Sequence, residues 1–221
     1  DHASQNRCDT AHDLIFHIHY VPLRSVWTLG FEEMRALLFC LVSLSLQHRR
    51  EGIQGTQVEV NGFFTYDLMH MTRPKYAPKN PLLSPRFGDI ATFNRLPYVP
   101  DLKGKDVDIA ILGVPFDGGT SFRPGARFAP RAVREASVLC RNFNPDLGVH
   151  VYDSLNVVDG GDISTNPLNL QVTFKNIEKH VREVHAAGAK AILVGGDHSI
   201  LLPELRAVHS KFGKPILIQF D

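Results

Sequence analysis

Three places in this chain carry residue types whose spacing can do chemistry. The first is Gly195-Gly196-Asp197-His198-Ser199, which follows a short apolar run. Two glycines permit a tight turn that aims the next imidazole over a sheet edge, and a neighbouring carboxylate can orient the ring. His198 is therefore a candidate metal ligand, with Asp197 behind it as a supporting group. The competing reading makes Asp197 or Ser199 the cap of a following helix, with His198 only part of its first turn. The second place is Asp221, at the end of Ile216-Leu217-Ile218-Gln219-Phe220. A carboxylate closing a buried strand is costly unless paired or metal-bound, but a wet strand end also accommodates it. The third is the loop from Pro115 to Pro130, with Asp117-Gly118-Gly119-Thr120-Ser121, Arg123 and Arg127. A glycine-rich loop before a helix can cradle a phosphate with backbone N–H groups. This one lacks both the G-x-x-x-x-G-K-S/T and the G-x-G-x-x-G spacing, and phosphate loops are more compact. The two arginines either pair with acidic groups to shape the loop or contact an anionic ligand.

The elements that must position these groups begin near Asp106, where apolar runs alternate with amphipathic segments. That alternation predicts an α/β fold of three layers, with helices on both faces of a mostly parallel sheet. Strands are expected over Val107 to Val114, Leu155 to Val158, Ala191 to Val194 and Pro215 to Phe220. Between them, Phe174, Ile177, Val181 and Val184 recur at helical spacing in a segment from Asn169 that Gly188 ends. A second helix after His198 places Leu201, Leu205, Val208 and Phe212 inward and stops at Gly213. A third, with Pro130 in its first turn, runs to about Cys140 and turns Ala132, Val133, Ala136 and Leu139 inward. Ligands in open α/β sheets gather beyond the carboxyl ends of the strands, and all three chemical places fall there.

Composition narrows the function classes. With 24 Lys and Arg against 23 Asp and Glu, no long-range field selects nucleic acid or an anionic membrane surface. Cys8, Cys40 and Cys140 are too far apart for a disulfide framework or a zinc site. Three regions are expected. Residues 1–70 share no pattern with the rest and read as disordered, or as upstream sequence translated by mistake; His17 and His19 lie there without an acidic partner nearby. Residues 71–104, with Pro74, Pro78, Pro81 and Pro85, read as an extended arm. Residues 105–221 hold the α/β domain. A start at Met69 or Met71 implies a cytoplasmic protein; Met34, before the apolar stretch Leu37 to Leu46, would instead begin an export signal. The closing apolar run reads as a buried parallel strand, normally followed by more sheet, so the chain is expected to be the N-terminal part of a longer protein.

A family resemblance joins these pieces. Gly113-Val114-Pro115-Phe116-Asp117, Gly119-Thr120-Ser121, and Arg123-Pro124-Gly125-Ala126-Arg127-Phe128-Ala129-Pro130 with Arg134 closely resemble the loop that opens the catalytic domain of agmatinases. The likeness continues through Arg86-Phe87-Gly88-Asp89-Ile90-Ala91-Thr92-Phe93, Val158-Asp159-Gly160-Gly161-Asp162-Ile163 and Gly195-Gly196-Asp197-His198-Ser199. It departs at Ala129, where the family usually has glycine. The resemblance is to the ureohydrolase family of arginases and agmatinases, and it implies two manganese ions. His198 matches a family histidine that binds one ion. Asp221 falls where the first Asp of an Asp-Ala-His-x-Asp motif bridges both, and Asp197 would stand behind the ligands. The remaining ligands, and the catalytic groups, would lie past Asp221. The implied reaction is hydrolysis of a linear guanidino compound, agmatine to putrescine and urea or else guanidinobutyrate, by an enzyme that forms homo-oligomers and uses neither nucleic acid nor membrane as partner. A reading of another class is an inactive fragment or a non-catalytic binding domain.

Overall fold

Five consecutive residues of Ile109–Gly113, strand β4, are buried, as a parallel strand covered on both faces requires. The computed structural model describes residues 75–220 and, before them, three short strands: β1 (Leu14–Ile18), β2 (Val58–Val60) and β3 (Phe63–Thr65). These strands fall within residues 1–70, where the sequence pattern predicts none. Asp221, His19 and the expectation of disorder before residue 71 lie outside the described residues.

The elements that follow β4 are α1 (Ala129–Ser137), β5 (Phe143–Asn144), β6 (Val149–His150), β7 (Val157–Asp162), α2 (Leu170–Ala186), β8 (Lys190–Val194), α3 (Leu201–Phe212) and β9 (Ile216–Phe220). β7, β4 and β8 form a parallel sheet in that order. All four expected strands are present. Side chains alternate across β4: Ala110 and Leu112 join Val158, Ile177, Val181 and Ala207 on one face, while Ile109 and Ile111 join Phe93, Leu96 and Val157 on the other. Each large aliphatic side chain so buried contributes about 1.5–3 kcal/mol relative to exposure. The architecture is α/β in three layers around a parallel sheet. No helix among the described residues is long and apolar enough to cross a membrane.

α2 follows the sequence reading closely. Asn169 caps it by accepting from the Val172 N–H at 3.1 Å, and Phe174, Ile177, Val181 and Val184 are all buried. Gly188, at φ +89, takes the chain out of the helix.

The other two helices are rotated from expectation. In α3 the buried residues are Leu201, Pro203, Glu204, Ala207 and Val208, while Leu205 is half-buried and Phe212 is 45% exposed. α3 packs chiefly against α2, with Ala207 fully buried, and Phe212 meets the His185 ring edge-on, with centroids 5.3 Å apart. α1 ends at Ser137, short of Leu139; Ala132 and Leu139 face solvent, and the inward stripe is Pro130, Val133, Arg134 and Ser137. This stripe has helical spacing, but two members are polar: Arg134 pairs with the buried Asp159 carboxylate, and Ser137 accepts from the Asn94 N–H at 2.9 Å.

β9 does not pair with β8: its parallel partner is β1, with Leu14 opposite Ile216 and Ile18 opposite Phe220. β1 also approaches β8. The apolar segment Leu14–Ile18 meets the strand requirement at this edge, and no pattern in the sequence announces that long-range pairing. The proline-rich arm is not a loose tether. Phe93, Leu96, Val99 and Leu102 are buried in the core, and Tyr98 bridges to Asp159 of β7.

Candidate functional site

Beyond the carboxyl ends of β4 and β8, the backbone makes two close approaches that only glycine tolerates. Gly195 has φ +130, and a Cβ there would lie 2.6 Å from Pro130 Cγ and 2.7 Å from the Val114 carbonyl oxygen. Gly196 has φ +66, and a Cβ there would lie 3.0 Å from the carbonyl oxygens of Val114 and Phe116. The paired glycines drop the chain into contact with the β4 loop, and the Asp197 N–H donates to Phe116 O at 2.9 Å.

Asp197 then fastens two segments together. One carboxylate oxygen accepts from the Gly119 N–H at 2.6 Å; the other accepts from the Ser199 N–H at 2.9 Å and from the Ser199 hydroxyl. It is the N-cap of the 3-10 turn His198–Ile200 that leads into α3. The capping role from the sequence reading is thus filled by Asp197, which leaves His198 one position further on, with an exposed side chain at the carboxyl edge. Among the described residues no group of three or more His, Cys, Asp or Glu side chains is assembled as a metal cluster.

The β4 loop is organised by a second carboxylate. Asp117 is 3% exposed and accepts from the N–H groups of Gly125 at 2.7 Å and Arg127 at 3.3 Å, and from Arg127 Nε at 2.6 Å. Burial pushes the Asp117 carboxyl up, but the Arg127 guanidinium and the two N–H donors outweigh it and hold it below the usual carboxylate value. Hydrogen bonding to Asp117 raises the Arg127 guanidinium in turn. The N–H groups that would cradle a phosphate, those of Gly119, Gly125 and Arg127, are already spent on Asp197 and Asp117. That removes the nucleotide-loop reading. Arg127 takes the structural role, while Arg123, at φ +54, lies 5.0 Å from the Phe122 ring centroid.

A third acidic centre was not singled out from the sequence. Asp159, in the middle of β7, is 1% exposed and receives Arg134 Nε at 2.8 Å and Nη2 at 3.0 Å. The Phe93 N–H at 3.0 Å and the Gly161 N–H at 2.8 Å also donate to it. Arg134 reaches Asp162 at 2.6 Å with its remaining nitrogen and lies 4.1 Å from the Phe93 ring centroid. Burial lowers the Arg134 guanidinium, but its bonds to Asp159 and Asp162 raise it overall. This fork ties α1, β7 and the arm into one unit under the β4 loop. Its signal in the sequence is Asp159 directly after the apolar Val157-Val158 of β7 and before the Gly160-Gly161 irregularity.

These features agree with known proteins. The model of the arginase family matches residues 107–221, just over half of the chain. The proclavaminate amidinohydrolase of Streptomyces clavuligerus is 40% identical over 139 residues, taking in 63% of this chain and 44% of that protein. Its solved structure superposes with a TM-score of 0.55 at 40% identity, covering 59% of this chain and 42% of that one. A guanidinobutyrase of Pseudomonas aeruginosa is 45% identical over 62% of this chain and 43% of its own length. The mitochondrial agmatinase of Gallus gallus is 40% identical over 60% and 38% respectively. The chain thus spans less than half the length of the relatives it matches. The sheet, the β4 loop and the Gly195–Ser199 turn all lie inside the matched stretch, and the chain belongs to the arginase family.

Proposed function

We propose that this protein hydrolyses a linear guanidino compound to urea and an amine, with agmatine as first substrate and putrescine as the amine. The observation that carries this reading is the placement of His198: an exposed imidazole at the carboxyl edge of a parallel sheet, on a turn whose two glycines and Asp197 clamp leave it little freedom. An imidazole held this way, joined by the Asp221 carboxylate, is a donor set that suits manganese. His198 and Asp221 are the residues of this chain that would hold the metal. A guanidinium carbon is resonance-stabilised and a poor electrophile, and a manganese pair supplies the Lewis acidity that makes a water-derived nucleophile available at neutral pH. Asp197 acts behind the ligands: by holding the Gly119 N–H and capping the His198 turn, it keeps the imidazole where a ligand is needed. Asp117 and Arg127 hold the loop that borders the same edge.

A guanidino acid is the second reading, favoured by the higher identity to the guanidinobutyrase than to the agmatinase. Urea release by the full-length gene product, supplied with manganese and with agmatine, guanidinobutyrate or guanidinopropionate in turn, tests both. Highest kcat/KM on agmatine supports the first reading, and highest on an acid supports the second. No urea from any of them, in protein with bound manganese, refutes both. Replacing His198 by Ala should abolish urea release and lower manganese content while leaving the fold intact.

A further inference from the structure

The arm carries four large apolar side chains, Leu82, Leu83, Phe87 and Ile90, that are 82–96% exposed. The backbone that bears them is clasped. The Arg95 guanidinium donates to the carbonyl oxygens of Lys79 and Ser84, and Lys79 pairs with Asp89. The Leu83 and Ser84 N–H groups both donate to Asn80 O, at 3.1 and 2.9 Å, and the Gly88 N–H donates to Pro85 O at 3.1 Å. Just beyond, Phe93 and Leu96 are buried. The loop is thus fixed in shape with its apolar side chains held outward, which lowers the ordering cost of binding a partner.

The exposed apolar surface continues across a groove that runs between the arm, at Pro81 and Arg86, and the stretch from Val138 to Phe143. On the far side Leu139, and Leu147 in the turn of the β5–β6 hairpin, are half-exposed. At about 100 Å² for each large apolar side chain, the six present roughly 450 Å² of apolar surface, a patch of the size that marks an interaction surface. A standard interface buries about 800 Å² on each partner, somewhat over half of it non-polar, and this patch supplies that non-polar share. Its place in the fold bears on what covers it. Tyr98 bridges to Asp159 and the Val99 N–H donates to Asp159 O at 2.8 Å, so the arm closes the outer edge of β7. The sheet order is β7-β4-β8, and strands added to this sheet join at its β8 edge, which β1 approaches and from which the His198 turn leaves. The patch therefore lies on the edge away from where the same chain can extend its sheet.

We propose that this surface binds a second copy of this chain, with Phe87 as the anchor. Phe87 is the largest and most exposed of the four arm side chains, on a loop whose shape is already set. With 24 Lys and Arg against 23 Asp and Glu, the chain has no strong charge with which to select an oppositely charged partner, and most soluble oligomers are built from one kind of chain. The proposal does not depend on the guanidino-hydrolase reading, since none of these residues belongs to the β8 turn or the β4 loop.

Sedimentation equilibrium of the full-length gene product tests the proposal. The parent is expected to self-associate, and Phe87→Asp and Leu83→Asp are each expected to weaken that association about thirtyfold or more. Both side chains are almost fully exposed in the single chain, so each variant should keep the far-UV circular dichroism of the parent. Amide hydrogen exchange in the parent gives a reading that needs no substitution: protection over residues 82–90 should rise with protein concentration across the range in which the parent assembles. A parent that stays monomeric, variants that assemble as tightly as the parent, or protection over 82–90 that does not change as the parent assembles, as when the same chain covers the patch, would overturn the proposal.

Discussion

Replacing Arg134 by Met tests the physical account of the fold most directly. Asp159 is 1% exposed and Arg134 12% exposed, so the substitution leaves a carboxylate in the interior without its cation. Removing one partner of a buried ion pair costs about 3–5 kcal/mol. Asp159 keeps two backbone donors, the N–H groups of Phe93 and Gly161, which places the expected loss at the lower end, about 3 kcal/mol. Methionine keeps an unbranched stem of similar length and loses the guanidinium that lies over the Phe93 ring. In urea, with a slope of about 2 kcal/mol/M, the midpoint should fall by about 1.5 M. Unfolding followed by far-UV circular dichroism measures it. The double variant Arg134→Met/Asp159→Asn removes the stranded charge while keeping an acceptor oxygen for the backbone donors. It should recover at least half of the loss, about 1.5 kcal/mol. A single-variant loss below about 0.5 kcal/mol, the range of unremarkable surface changes, would refute the reasoning. So would a double variant no more stable than the single one.

Gly195→Ala should lose about 2 kcal/mol or more, since it combines a positive φ with contact against the Val114 backbone; a fall in Tm of about 4–8 °C checks this. For Asp117 the folded carboxyl is held below its ordinary value of 3.8, so its contribution to stability is fully present above that pH and is lost as pH falls through the lower folded value. Asp117→Asn should therefore be less stable at neutral pH and show a flatter loss of stability on acidification below about pH 4, measured by denaturant midpoints across pH. The Tyr152 hydroxyl is pushed up to about 12 by burial, against the hydrogen bond from Asn94. Absorbance titration should show it still un-ionised well above pH 10, with stability lost between the unfolded value near 10 and about 12, and Tyr152→Phe should remove that alkaline loss.

The candidate site was legible wherever the signal is local. Gly195-Gly196-Asp197-His198 names its own turn, because paired glycines before an Asp cap leave the backbone few alternatives, and the structure places that turn at the carboxyl edge of β8. That an arginine of the β4 loop pairs with an acidic group was legible, but not that the pair is Arg127 and Asp117, because the two are ten residues apart around an irregular loop. Asp159 was passed over for a related reason. Its cation comes from α1, and an apolar-stripe reading of α1 assigns Ala132 and Leu139 to the interior and Arg134 to water.

What the sequence determined by itself was the alternation of strands and helices, the inward face of α2 and the glycine turn, all set by contacts within a few residues or by a periodic pattern. The tertiary structure decided which strands are neighbours and which polar groups are buried. The partner of β9 is about 200 residues away in β1, and no local propensity encodes a choice among parallel neighbours. The rotation of α1 follows from one carboxylate in β7, since burying Asp159 without Arg134 would cost more than exposing Leu139.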